Sequence, residues 1–248
     1  MRKILISCIT LLLLCTAIET HALSSAIQAV VGVNTATAGF CDAGCTGGVT
    51  FCWTPDSTTS DCSAGDTSAT LVGSGALSGG KLVTDDGSSA YSFDTQVGAS
   101  PEIVVPETGA VEFKINITTW VNTARIFKLV CNSGGIAIYL SGAADAIDFT
   151  VSANDGSALS LATANSNKTT SADLRIRAMW RESGATTTWI EVCNADGSTC
   201  TTATDTDAYD ATSKDGEYVV MGNNDGAASA YSMWDIKTYS AWQTGWHE

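Results

Sequence analysis

From Ala110 to Thr118 the chain alternates without a break: Val111, Phe113, Ile115 and Ile117 are apolar, and Glu112, Lys114, Asn116 and Thr118 are polar. Successive side chains of a strand point to opposite faces, so this stretch reads as a strand with one dry face. No segment carries a sustained apolar pattern of helical period. Three prolines and 23 glycines accompany roughly a dozen short strand signals bounded by turns, which predicts an all-β antiparallel sandwich.

Other strands follow from the same reasoning. Ile126–Val130 and Ile136–Leu140 pair around Asn132–Gly135, and Ala146–Val151 and Ala158–Ala162 follow. Lys81–Val83 and Ala90–Phe93 flank Asp85-Asp86-Gly87, a hairpin signal. Tyr218–Met221 and Tyr231–Tyr239 flank Gly222-Asn223-Asn224-Asp225-Gly226 and read as a strand pair. One register can be argued. Leu174, Ile176 and Ala178 form one apolar face, and Ile190 and Val192 another. A three-residue loop at Ser183-Gly184-Ala185 sets Ala178 opposite Ile190 and Ile176 opposite Val192, keeping that face dry. The other face then sets Arg177 against Glu191 and Met179 against Trp189.

Residues 1–22 read as a signal peptide: Arg2 and Lys3 precede an apolar run, and Thr20-His21-Ala22 offers a cleavage site. Residues 23–44 read as an N-terminal arm and the start of a cysteine-rich entry, 45–242 as the β domain and 243–248 as a tail. The expected compartment is extracellular. Seven cysteines then remain, and export favours disulfides. Cys193 and Cys200 flank Asn194–Thr199 and read as a bridge closing that hairpin. Cys41, Cys45, Cys52 and Cys62 allow three connectivities, and Cys131 is left over.

The chain holds 12 Lys+Arg against 26 Asp+Glu, a net charge of −14. Phosphate repulsion argues against a nucleic-acid partner, and after the leader no apolar run is long enough to span a membrane. Of two histidines, only His247 follows the leader. A Ser-His-Asp mechanism would rest on the last residues but one, so it is not expected. No Glu-x-Asp-x-x-Glu pattern places two carboxylates on one strand face for glycoside hydrolysis; Glu112, Glu182 and Glu191 stand alone. A non-catalytic protein is expected.

Two constellations point to binding. Arg175, Arg177, Trp189 and Glu191 fall on the outer face of the argued hairpin, and an aromatic ring beside charged hydrogen-bonding groups suits sugar recognition. The competing reading beds Trp189 against Met179. For calcium, no ion is required, but Asp205 and Asp207 in one loop, and Asn223 and Asp225 in another, offer hard oxygen ligands. The same residue types also make turns.

Three places resemble the concanavalin A-like jelly roll, in particular its laminin G-like branch. They are Gly80–Phe93, the hairpin from Asp173 to Gly197, and Tyr218–Tyr239 with its closing Trp234-Asp235-Ile236-Lys237-Thr238-Tyr239. The resemblance covers residues 45–242, and the cysteine-rich entry departs from it. It implies two antiparallel sheets and a role in binding glycans or protein surfaces. The leading expectation is thus a secreted binding module for glycan or cell-surface material. One alternative is a structural subunit of an extracellular assembly, self-associating as Leu23–Thr37 adds a strand to a neighbour. Another is a glycan-active hydrolase or lyase with an unrecognised site.

Overall fold

Strand Gly109–Ile117 runs through the middle of a sheet and buries the predicted apolar set. The structure is a computed structural model. It describes residues 41–241 except 42–44, 46–47, 58–61, 64–68, 74, 85–88, 95, 98–99, 102–103, 106–107, 132–134, 142–145, 153–157, 166–171, 182–185, 207–213 and 223–228.

All described secondary structure is β, and every pairing is antiparallel. The front sheet holds β1 (Val49–Trp53), β2 (Cys62–Ser63), β4 (Ala76–Ser78), β5 (Lys81–Thr84), β10 (Gly109–Ile117), β15 (Asp173–Trp180), β16 (Thr188–Asn194), β17 (Thr201–Asp205) and β19 (Tyr231–Tyr239). Its order is β17-β16-β15-β10-β19-β1-β2, with β5 also on β19 and β4 on β5. The back sheet holds β3 (Ala69–Gly73), β6 (Ser89–Asp94), β9 (Val104–Val105), β11 (Arg125–Cys131), β12 (Gly135–Ser141), β13 (Ala146–Ser152), β14 (Ala158–Asn165) and β18 (Lys214–Gly222), in the order β14-β13-β12-β11-β18-β6-β3, with β9 on β18. β7 (Gln96–Val97) and β8 (Ser100–Pro101) pair apart from both.

One apolar core joins the two large sheets. Phe113 of the front stacks on Phe127 of the back with ring centroids 5.9 Å apart, and Phe149 of the back tilts against Trp180 of the front at 6.3 Å. Burying such rings is the main driving force for closing the sandwich. Gly109 lies directly opposite Trp180. A Cβ there would come within 2.8 Å of both Trp180 Cε2 and the Tyr239 carbonyl oxygen.

The argued register is observed: Ala178 faces Ile190, Ile176 faces Val192, Arg177 faces Glu191 and Met179 faces Trp189. The loop residues 182–185 lie outside the described set. The β11–β12 pairing is also as expected, with Leu129 opposite Ile136. Cys193–Cys200 is a disulfide, and Cys41 pairs with Cys52. Cys45 is disulfide-bonded as well.

Two expected hairpins are not hairpins. β5 lies in the front sheet against β19, while β6 lies in the back sheet against β18 and β3. β18 likewise pairs with β11 and β6 in the back, while β19 pairs with β10, β1 and β5 in the front. Turn-forming residues reverse the chain in either case. They do not say whether the returning strand hydrogen-bonds to the outgoing one or packs across the core from it.

Candidate functional site

The outward positions of the front sheet form rows, because each strand's register places its outward residues beside those of its neighbours. The first row is apolar: Tyr239, Ala110 and Met179 are buried, with half-buried Val49 and Trp189 at its ends. The second is charged and alternates in sign: Lys237, Glu112, Arg177, Glu191. The third sets Trp234, Lys114, Arg175 and Cys193 side by side.

This face is drier than alternation alone suggests. Glu112 is 2% exposed, Arg175 4% and Arg177 5%, so these three outward charged residues are not solvated. Charges withdrawn from water need opposite charges and hydrogen bonds, and the second row supplies the opposite charges and part of the hydrogen bonding. Tyr239 donates its hydroxyl to Glu112 Oε1 at 2.5 Å. Arg177 Nη2 donates to Glu191 Oε2 at 3.3 Å, and its guanidinium lies 5.0 Å from the Trp189 ring centroid. Burial lowers the Lys237 pKa, while the charges of Glu112 and Asp235 raise it. In the third row Lys114 Nζ donates to Asp235 Oδ2 at 2.7 Å. Asp235 sits in a bulge where two residues of β19 oppose Phe113, and its φ of +53° is of the kind that aspartate tolerates. Lys81 places its ammonium 3.7 Å from the centroid of Trp234.

The structure therefore brings Arg175, Arg177, Trp189 and Glu191 together on one face. Arg177 occupies one side of Trp189, which also packs against the Ala110–Met179–Tyr239 cluster. Arg175 lies under the Gly197 turn, which the Cys193–Cys200 bridge fastens: a Cβ on Gly197 would be 3.2 Å from Arg175 Nη1. Of the candidate calcium ligands, Asp205 is the last residue of β17 rather than a loop residue. Its carbonyl accepts from the Thr187 amide at 2.9 Å. Asp207, Asn223 and Asp225 lie outside the described residues. Glu191, Cys193 and Cys200 cluster within 4.8 Å, but the two sulfurs are spent in the disulfide and offer no thiolate.

The sequence alone does not join Glu112, Lys237 and Tyr239 into one group. Lys237 and Tyr239 are two apart on one strand and so share a face, which is legible. That β19 lies beside β10, bringing both to Glu112, is not.

These positions carry a pH consequence. The Tyr239 pKa is raised by burial first, then by the Glu112 charge and hydrogen bond, against a smaller opposing pull from Arg177. Burial raises that of Tyr231. Above the ordinary tyrosine value of 10.0 the unfolded chain loses protons that the folded chain keeps, so stability present below that pH is lost as pH rises. The lowered Lys237 pKa acts in the opposite sense, at lower pH. An alkaline titration should show phenolate absorbance from Tyr231 and Tyr239, two of six tyrosines, appearing only as the β-sheet circular dichroism signal collapses. Ordinary, reversible titration of all six with the sheets intact would contradict this.

No protein-family model matches the chain, and no curated protein matches it in sequence. Solved structures do match. The botulinum neurotoxin serotype D binding domain superposes with a TM-score of 0.55 at 10% identity, over 79% of this chain and 49% of that one. The binding domain of botulinum neurotoxin DC in complex with rat synaptotagmin II gives 0.56 at 13% identity, over 79% and 49%. The same toxin's binding domain in complex with SialylT gives 0.54 at 12%, over 80% and 49%. The likeness is one of fold. This chain spans about half the length of those domains, and all three are binding domains rather than catalytic ones.

Proposed function

We propose that this chain is an exported, non-catalytic binding module whose ligand is glycan or cell-surface material. The observation that carries this reading is the fold shared with toxin binding domains, one of them in complex with SialylT. The laminin G-like jelly roll read from the sequence fits an antiparallel two-sheet sandwich. In this proposal the ligand approaches the front sheet at its Trp189 margin. There the half-buried indole stays in reach of solvent, and Arg177 and Glu191 fix its orientation. Calcium, if used, is held by the loop beyond Asp205 and by Asn223 and Asp225.

A glycan array run with calcium and again with chelator tests the reading. Retention of a defined set of glycans is expected, falling about tenfold or more for Trp189→Ala with its circular dichroism spectrum unchanged. Calcium-dependent retention would assign the loops a metal. Absence of binding in both runs would remove the proposal.

A further inference from the structure

Polar side chains on the outward face of a sheet normally find water or a partner, so a shielded outward carboxylate without one is out of place. Asp148 is such a group. It lies between Ile147 and Phe149, both in the core, and so points away from it. It is 5% exposed, and among the described residues no donor reaches its Oδ1. The Trp120 Nε1, the Tyr231 hydroxyl and two nitrogens of Arg177 are likewise buried without a hydrogen bond, but Trp120 and Tyr231 pack on the core and Arg177 has its charged partner in Glu191.

The surroundings of Asp148 are not those of a structural ion pair. Directly opposite it on β12 stands Tyr139, half-buried and outward between the core residues Ile138 and Leu140. Thr150 Oγ1 donates to the Tyr139 hydroxyl at 3.3 Å. Ala137, opposite Thr150, forms a low floor beside the ring. On β11, Arg125 faces Tyr139 and Lys128 faces Ala137. The outward side of the back sheet thus sets an aromatic ring and a hydroxyl beside a covered, unmet acceptor, bordered by two cations.

We propose that this face is a saccharide subsite, in which the sugar's C–H face lies along the Tyr139 ring and the Asp148 side chain turns out from its cover to accept from a sugar hydroxyl through Oδ1. The chemistry favours a carbohydrate because it combines hydroxyl donors for the carboxylate with an apolar C–H face for the aromatic. A hard divalent cation would want several oxygen ligands with more than one carboxylate, and no residue paired directly with Asp148 carries one. An unmet buried acceptor lowers stability. Residues that break a local rule at a stability cost are expected where a ligand completes them. The inference rests on the glycan-binding reading above but assigns a different sheet and a different face from the Trp189 margin.

The test uses the full chain on an array of lactose, N-acetyllactosamine, cellotriose and sialyllactose, with affinities by calorimetry for each retained sugar. Asp148→Asn and Tyr139→Ala should each weaken binding about tenfold or more, while Asp148→Asn melts at the wild-type temperature or above it. Loss of binding in Asp148→Asn with retention in Trp189→Ala would place the sugar on the back sheet alone. Unchanged binding in Asp148→Asn, or a sharply lower melting temperature, would overturn the subsite and leave the glycan reading standing on Trp189. A rise in melting temperature with calcium chloride, seen in wild type but not in Asp148→Asn, would overturn it in favour of a cation site. Failure of the wild type to bind any of these sugars, or any on a broad array, would remove both proposals.

Discussion

Replacing Glu112 with alanine is expected to destabilise the fold by about 3–5 kcal/mol, the cost of breaking a buried charge arrangement from one side. Glu112 is the hub of the alternating row. On one flank it accepts the Tyr239 hydroxyl and offsets the burial of Lys237; on the other it lies beside Arg177. Alanine leaves Lys237 and Arg177 dry with less negative charge between them, and Tyr239 without its acceptor. Glu112→Gln keeps an acceptor for Tyr239 and drops only the charge, so it should fall between wild type and alanine. The variants also differ in pH response. A lowered folded pKa for Lys237 means that the unfolded chain binds more protons below 10.5, the ordinary lysine value, so this group's contribution rises with pH through that window. Removing Glu112 deepens the lowering and widens the window downward. Urea denaturation over a pH series measures both effects. Equal midpoints for wild type and Glu112→Ala would show that the row holds nothing together.

Gly109→Ala should be nearly as damaging, at about 3 kcal/mol, for a steric reason. The added methyl meets two groups that have nowhere to go. The Trp180 ring is wedged in the core against Phe149, and the Tyr239 carbonyl belongs to the strand on the other side. Moving the ring disturbs the core, and moving the carbonyl breaks the β10–β19 ladder. Trp180→Phe in the same chain should recover part of the loss by vacating the space where the clash occurs. That double mutant separates a packing conflict from a simple backbone effect, because a backbone effect would leave the two losses additive. A comparison at Gly79, where nothing lies within 4 Å of an added Cβ, should show only the cost of its positive φ, about 1 kcal/mol.

These variants also mark where sequence reasoning reaches and where it stops. The strand Gly109–Ile117 and the register of β15 on β16 were legible because a dry face admits only one phase of alternation. The Cys193–Cys200 bridge was legible because a hairpin loop brings its own ends together. Pairing between strands distant in the chain leaves no local trace, so nothing in Asp173–Trp180 or Tyr231–Tyr239 says that both flank β10. Glu112 and Lys237 consequently read as ordinary polar residues of alternating strands, while Arg177 reads only as the partner of Glu191, and the sheet order alone lines all of them up. The same gap produced the two false hairpins, since Asp85-Asp86-Gly87 and Asn223–Gly226 announce a reversal and not the sheet in which the chain resumes. On the back sheet, Asp148 looks like any polar residue of an alternating strand until Tyr139 is placed opposite it.

The position of Tyr231–Tyr239 also governs how the molecule must assemble in time. Its outer neighbours include Val49–Trp53, and Thr50 and Thr238 meet through their hydroxyls across 188 residues of sequence. A growing chain therefore makes nearly all of the front sheet before it makes the strand that joins the halves. Until that strand arrives, Gly109–Ile117 has one ladder edge open, and the β1–β2 and β4–β5 ribbons have no attachment to the sheet. Such long-range closure is slow compared with hairpin formation, and an apolar strand with an open edge invites the wrong partner meanwhile. The last described strand is thus the keystone of folding kinetics, and the interval before it docks is when the chain is most exposed to aggregation.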